Sequence, residues 1–366
     1  MVKSLKEKKS KLAVIGIVGG GQLGRMIALA GHQRGHKIVV LSDQPHSPAC
    51  QVVERSFVGD YSDKKILDKF CSEVDIATIE FENIPLPCAQ YIASKIEFAP
   101  KVEVLQIAQH RILEKNFLNS KKIKTTDYTA ITCFDDLKNG LKKFKKAILK
   151  TALMGYDGKG QEVLNDKIAH HDLLKIYQNF VNTQKNTPLI LEKFCLFEQE
   201  LSVLVARNKN GEIACYDPLT NVHKSGILYR SFFPAKVGLE VKNNAKKIAK
   251  KIAESLDLVG VIAVEFFLVN GELLVNELAP RPHNSYHFSI DANFTSQFEQ
   301  LIRAITNSKL GSTHFFGEGY MQNLLGKEIF ALDLYQKNQL AKIHIYGKDQ
   351  AVDGRKMGHV NILKKP

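Results

Sequence analysis

Val261–Ser285, VIAVEFFLVNGELLVNELAPRPHNS, is the stretch on which the fold turns. Two apolar runs, Val261 to Leu268 and Glu272 to Leu278, flank Asn270-Gly271, a pair that accepts the positive φ angles of a two-residue hairpin loop. This predicts neighbouring antiparallel strands, with Glu265 on one and Glu277 on the other, both embedded in apolar residues. Buried carboxylates without a cation are costly, so structural ion pairs or a bound metal must compensate them. Hard oxygen donors, with Asn276 beside them, favour Mg²⁺ carrying nucleotide phosphates over zinc or iron. Directly afterwards, Arg281-Pro282-His283-Asn284-Ser285 gathers a guanidinium, an imidazole, an amide and a hydroxyl within one turn. That is a cradle for a small planar anion or, taken alone, a capped loop.

Upstream, Lys150 sits on a strand predicted over Ala147 to Thr151, followed by Met154–Gln161, MGYDGKGQ. Gly155, Gly158 and Gly160 give such a loop mobility, so Lys150 can place a point charge on a nucleotide phosphate while the loop closes over it. A plain surface hairpin is the alternative. A helix near His171 to Phe180 and strands at Pro188 to Phe194 and Glu200 to Arg207 complete an α+β pattern.

The first third of the chain reads differently. A strand over Lys11 to Val18, a turn at Gly19–Gly24 (GGGQLG), a helix over Arg25 to Arg34 and a strand over Lys37 to Leu41 form a βαβ start. Strands at Arg55 to Val58 and Ile76 to Glu80 extend it into an open, Rossmann-like parallel sheet. The glycine turn lets backbone N–H groups approach a phosphate at a helix N-terminus. With Asp43 after the second strand, it makes an NAD-linked dehydrogenase a rival reading, and a ligand-free glycine turn another.

The 366 residues suffice for two or three packed units, with 44% hydrophobic and 24% charged residues, close to globular averages. The expected divisions are a basic N-terminal extension (1–11), a Rossmann-like domain (12–115), a small lid domain (120–190), a larger metal-binding domain (191–315) and a small β-rich C-terminal domain (318–366), with Ser120 to Asp127 as a linker. The net charge of +13 is mostly lysine in short scattered runs. Ala245–Leu256, AKKIAKKIAESL, puts Ile248, Ile252 and Leu256 on one stripe with lysines opposite, the pattern of a solvated helix face. No aromatic-interleaved basic motif accompanies it, so small anionic substrates fit this charge better than nucleic acid. Six widely spaced cysteines suit a reducing cytosol. The basic start and apolar run imitate a signal peptide, but the run leads into the glycine turn without a cleavage pattern, and nothing is long enough to cross a membrane.

In order, GGGQLGRM, TIEFEN, HRILEK, GYDGKGQ, EKF with a following Glu200, NVHKSG, NELAPRPHNS and GRKMGH resemble the motif series of the 5-(carboxyamino)imidazole ribonucleotide synthase family of the ATP-grasp superfamily, from about Lys11 to Leu363. The resemblance implies an α/β and α+β chain with an ATP-grasp fold. It implies a cytoplasmic, homodimeric ligase that carboxylates 5-aminoimidazole ribonucleotide with bicarbonate, using ATP and Mg²⁺, for which Mn²⁺ could substitute. ATP would be held by Arg111, Lys150, the loop Gly155, Tyr156, Asp157, Gly158, Lys159, Gly160 and Gln161, the linker Glu192, Lys193, Phe194 and Cys195, and by Glu200, His223, Asn276 and Glu277. Glu265 and Glu277 would carry the metal. The ribonucleotide would meet Gln22 and Leu23 through backbone, with Glu80, Tyr156, Asp157, Lys159, Arg355 and Lys356. Arg281, His283, Asn284 and Ser285 would hold bicarbonate, and Asp157 would steer or accept the amine proton. Lys159 departs from the family, which usually has arginine there, replacing a bidentate fork by a point charge.

Overall fold

The computed structural model of the protein describes residues 12–153, 160–183 and 187–364. The apolar run before the glycine turn forms β1 (Val14–Val18), followed by α1 (Gln22–Gln33), β2 (Lys37–Ser42), β3 (Arg55–Val58), α2 (Lys64–Glu73), β4 (Ile76–Ile79), α3 (Leu86–Ala93) and β5 (Glu97–Ala99). The strands make one parallel sheet in the order β3-β2-β1-β4-β5. Parallel strands covered on both faces need apolar residues throughout, and Ile15, Ile17, Val40, Leu41 and Ala77 are fully buried. Helix α1 begins three residues before the predicted Arg25.

After α4 (Val102–Gln109) and α5 (Arg111–Ser120), the Ser120 to Asp127 stretch carries no strand, only a lone bridge from Thr125 to Val275. Then come β6 (Tyr128–Ile131), α6 (Phe134–Phe144), β7 (Lys146–Thr151), β8 (Gln161–Asn165), α7 (His170–Thr183) and β9 (Leu189–Lys193). These strands form an antiparallel sheet ordered β6-β9-β7-β8, roofed by Leu137, Leu141, Phe144 and Leu173 from its two helices. Strand β9 crosses the expected division at residue 190.

The remaining strands build one antiparallel sheet. They are β10 (Gln199–Arg207), β11 (Ile213–Cys215), β12 (Leu219–Lys224), β13 (Ile227–Phe233), then, past α8 (Leu239–Ser255), β14 (Gly260–Val269) and β15 (Glu272–Ala279). Beyond α9 (Ser289–Ala292) and α10 (Gln297–Ile305) lie β16 (Gly319–Leu325), α11 (Asp333–Gln336), β17 (Ala341–Ile345) and β18 (Lys356–Leu363). The order is β15-β14-β10-β12-β13-β16-β18-β17, with β11 on β10. The C-terminal strands therefore continue the central sheet through β13–β16 pairing.

Asn270 (φ 50°) and Gly271 (φ 78°) both take left-handed backbone, as the β14–β15 hairpin requires. Ile252 on α8 and Leu256 directly after its end are buried, and Ile248 packs with them in a cluster that includes Val203, Val205 and Ile262, matching the predicted stripe. Among the described residues no helix is long and apolar enough to cross a membrane, and all six cysteines are free.

Candidate active site

Hairpin geometry places Glu265 directly opposite Glu277 in the β14–β15 register, with a bulge immediately after Glu265. Such bulges re-aim side chains. Burial, and then the Glu277 charge, push the pKa of Glu265 upward. Two facing carboxylates in a protein interior call for a cation, and their immediate partners only partly supply one. Arg111 Nη1 lies 3.4 Å from Glu277 Oε2, and His283 Nε2 lies 3.3 Å from Glu265 Oε1. Asn276 Nδ2 donates to Glu265 Oε2 at 3.4 Å. Among the described residues no three His, Cys, Asp or Glu side chains gather at metal-binding distances. Two carboxylates and an amide suit a hard ion that takes its remaining oxygens from phosphate and water, as Mg²⁺ does.

Across the cleft, β7 pairs Lys150 with Gln161 of β8. Buried Lys150 donates to Glu192 Oε2 at 2.8 Å, and Lys115, more deeply buried still, stands 3.7 Å from the other Glu192 oxygen. Burial would raise the pKa of Glu192, but Lys150, Lys115 and Arg111 outweigh it and hold the carboxyl at about 2. Burial lowers the pKa of Lys150 against the pull of the same carboxylate. A buried cation that shares one anion with a second cation is suited to meeting a further negative charge.

A cavity of about 300 Å³ joins these groups. Arg111, Lys150, Gln161, Glu200, His223, Glu265, Asn276, Glu277, Arg281, His283, Asn284 and Lys356 line it, so most of those predicted nucleotide and anion residues that are described share one cleft. His223 Nδ1 and Glu200 are hydrogen-bonded; burial opposes the imidazolium, yet Glu200 raises the His223 pKa. The stacked rings of Phe197 and Phe267, 4.6 Å apart, add a flat apolar wall. Nothing in the sequence pattern singled out this pair, since residues 70 apart in sequence meet only through β10–β14 pairing.

Arg281 is already engaged: its Nε and Nη2 both reach the carboxylate of Glu82, of the TIEFEN motif. Ser285 is buried and bonds Ser202 Oγ and His283 Nδ1, so it props His283 and does not line the cleft. Lys193, Phe194 and Cys195 line a second cavity, of about 640 Å³, beside Asp127 and Tyr128. Phe197, two residues on, faces the smaller cleft, so this segment contributes to both. Gly160 has φ 69° and accepts from Thr151 N–H through its carbonyl. Gly155, Tyr156, Asp157, Gly158 and Lys159 lie outside the described residues.

The glycine turn carries a different message from the dehydrogenase reading. Glu80 accepts hydrogen bonds from Gly21 N–H at 2.5 Å and Gly24 N–H at 2.9 Å. Two of the N–H groups at the helix N-terminus that would cradle a pyrophosphate are thus taken by a carboxylate of the chain itself. A Cβ on Gly21 would lie 2.5 Å from Glu80 Oε1, so glycine is needed for this close approach. Gln22, Asp43, Glu80 and Arg355 line a cavity of about 430 Å³ here, while the side chain of Leu23 is buried in the core. Sequence reading missed Glu114, whose pKa burial raises to about 8 and which accepts from Leu278 N–H at 2.6 Å beside Glu277.

Three family models cover the chain: a ribonucleotide synthetase preATP-grasp domain over residues 12–109, an ATP-grasp domain over 116–298, and a phosphoribosylaminoimidazole carboxylase C-terminal domain over 319–366. The N5-carboxyaminoimidazole ribonucleotide synthase of Bacillus subtilis strain 168 is 39% identical over 359 residues, 97% of this chain and 92% of that protein. The crystal structure of an ADP complex of an N5-carboxyaminoimidazole ribonucleotide synthetase superposes with a TM-score of 0.90 at 40% identity, covering 96% of this chain and 93% of the other. An Aspergillus clavatus N5-carboxyaminoimidazole synthase, in complex with ADP and the aminoimidazole ribonucleotide, superposes with a TM-score of 0.88 at 25% identity over 97% and 94% of the two chains.

Proposed function

The chain belongs to the N5-carboxyaminoimidazole ribonucleotide synthase family of ATP-grasp ligases, and we propose that it joins bicarbonate to the exocyclic amine of 5-aminoimidazole ribonucleotide at the expense of ATP, in purine biosynthesis. The observation that carries this reading is one cleft shared by Lys150 and the facing pair Glu265 and Glu277. An oxygen of bicarbonate attacks the γ-phosphoryl group in line; the new P–O bond forms as the bond to ADP breaks. The ribonucleotide amine then takes the carboxyl carbon of carboxyphosphate, phosphate leaves, and the amine proton is released, with Asp157 as its acceptor.

Each part of the cleft supports one requirement. Lys150 and Arg111 offset charge on the phosphates, and His223 with Glu200 faces the ribose hydroxyls. Glu265 and Glu277, with Asn276, would hold Mg²⁺, which supplies neutralisation of the transferring phosphoryl oxygens. His283 and Asn284 meet the bicarbonate, with Arg281 held in place by Glu82 and Ser285 propping the imidazole. Gln22, Glu80 and Arg355, which line the 430 Å³ cavity, and Lys356, which lines the 300 Å³ cleft, serve the ribonucleotide. The Tyr156–Gln161 segment, with Lys159, acts as a lid that keeps water from the labile acyl phosphate. Lys193, Phe194 and Cys195 contribute backbone to the adenine. We further propose a cytoplasmic homodimer, which light scattering checks.

The test is release of ADP and phosphate that requires Mg²⁺, bicarbonate and the ribonucleotide together. Robust release without the ribonucleotide would assign the cleft to another ATP-grasp reaction. Replacing both metal-site acids, Glu265→Ala with Glu277→Ala, should abolish release while circular dichroism stays unchanged; full retained activity would remove the metal assignment.

A further inference from the structure

Gln297 lies in no motif described above, yet it is fully buried and bonds three groups around the anion cradle. Its Oε1 accepts from His283 N–H at 2.7 Å, and its Nε2 donates to His283 O at 2.9 Å. Because a backbone N–H can only donate and a carbonyl only accept, these two bonds fix which end of the amide is oxygen. The same Nε2 lies 3.3 Å from His287 Nδ1, which must therefore accept. The single ring proton of a neutral His287 then sits on Nε2, which donates to Asn284 Oδ1 at 3.0 Å. With its oxygen occupied, the Asn284 amide is left to present its NH₂ group to the cleft that it lines.

The surroundings remove the freedom to rearrange. His287 is buried, stacked on His359 at 4.7 Å and on Phe298 at 5.8 Å. Burial holds its pKa well below the ordinary histidine range, with His283 and His344 adding to the same effect, so the ring stays neutral. Gln297 N–H donates to Ser289 Oγ, whose hydroxyl donates to Tyr286 O, anchoring the start of α10 to the cradle loop.

We propose that Gln297 and His287 are positioning residues that set the donor face of Asn284 toward bicarbonate and the carboxyphosphate formed from it. The inference rests on the reading of the cleft given above. The charged oxygens of bicarbonate and of carboxyphosphate accept hydrogen bonds, so an Asn284 turned the other way would face them with a carbonyl oxygen and repel them. Selection of the anion is thereby written into a relay of amide, imidazole and amide, two members of which touch no substrate.

Steady-state kinetics of His287→Gln and His287→Asn test it, because a glutamine amide reaches the position of Nε2 and an asparagine amide that of Nδ1. H287N should raise the KM for bicarbonate about tenfold, the worth of one hydrogen bond to a charged acceptor, with the KM for ATP within about twofold of the parent. H287Q should stay within about threefold for both. Equal behaviour of the two variants, or a parallel rise in the ATP KM, would overturn the proposal. In the unaltered protein, ¹⁵N-resolved imidazole spectra should show the resonance lost in H287Q or in H287N as an Nε2–H tautomer; an Nδ1–H tautomer would overturn it even if the other variant fails to fold. Wild-type turnover indifferent to bicarbonate would instead sink the functional reading, which separates the two failures.

Discussion

At the residue scale, the cleft works because groups that are individually unfavourable in an interior are set against one another. Lys150, Lys115 and Glu192 are nearly inaccessible, and each is tolerable only because the others are present. Breaking a buried ion pair from one side leaves an uncompensated charge, which costs more than the pair contributes over a neutral replacement. Lys150→Met should therefore lower stability by about 3 kcal/mol in urea unfolding, besides raising the KM for ATP. Lys115 would keep Glu192 partly paired, and a loss below about 1 kcal/mol would mean that it carries the whole interaction. The lysine–glutamate logic was legible only in part: Lys150 stands out before a glycine loop, whereas Lys115 and Glu114 look like ordinary charges on a helix until tertiary packing buries them.

At the scale of elements, two glycines show what a hairpin and a helix start demand. Gly271 has φ 78° with open space around its Cβ position, so Gly271→Ala meets only backbone strain, roughly 1 to 2 kcal/mol, and should leave the KM values unchanged. Gly21→Ala instead drives a methyl group into the Glu80 carboxylate. It should raise the KM for the ribonucleotide about tenfold while leaving the KM for ATP within about twofold, and an unchanged ribonucleotide KM would detach Glu80 from that site. Both turns were readable from sequence. That the second is closed by Glu80 was not, because a G-x-G-x-x-G pattern specifies the backbone shape and not what fills it.

At the scale of the whole molecule, β13–β16 pairing makes the C-terminal strands part of the sheet that carries the cleft. Side chains fuse the same join: His359 of β18 stacks between His287 and His344, and Tyr346 Oη bonds its Nδ1 at 2.9 Å. Burial, then His287 and His344, hold the pKa of His359 well below 6.5. A histidine depressed in the folded state contributes stability above its unfolded pKa and loses it as pH falls, since only the unfolded chain takes up the proton. Relative to His359→Phe, the parent should thus lose roughly 1.4 kcal/mol for each pH unit below about 6, read from urea midpoints across pH. Parallel curves would show that His359 titrates alike in both states.

Alternating apolar runs, the Asn270-Gly271 turn and the glycine segments determined the strands, the hairpin and the pairing of Glu265 with Glu277, because period-two burial and positive φ are local properties of the chain. Tertiary structure alone decided that β7 brings Lys150 to face that pair, that Glu82 holds Arg281, and that Gln297 and His287 orient Asn284. Those contacts join residues far apart in sequence, and which buried polar atom satisfies which other is settled only once the layers have packed and water has been excluded.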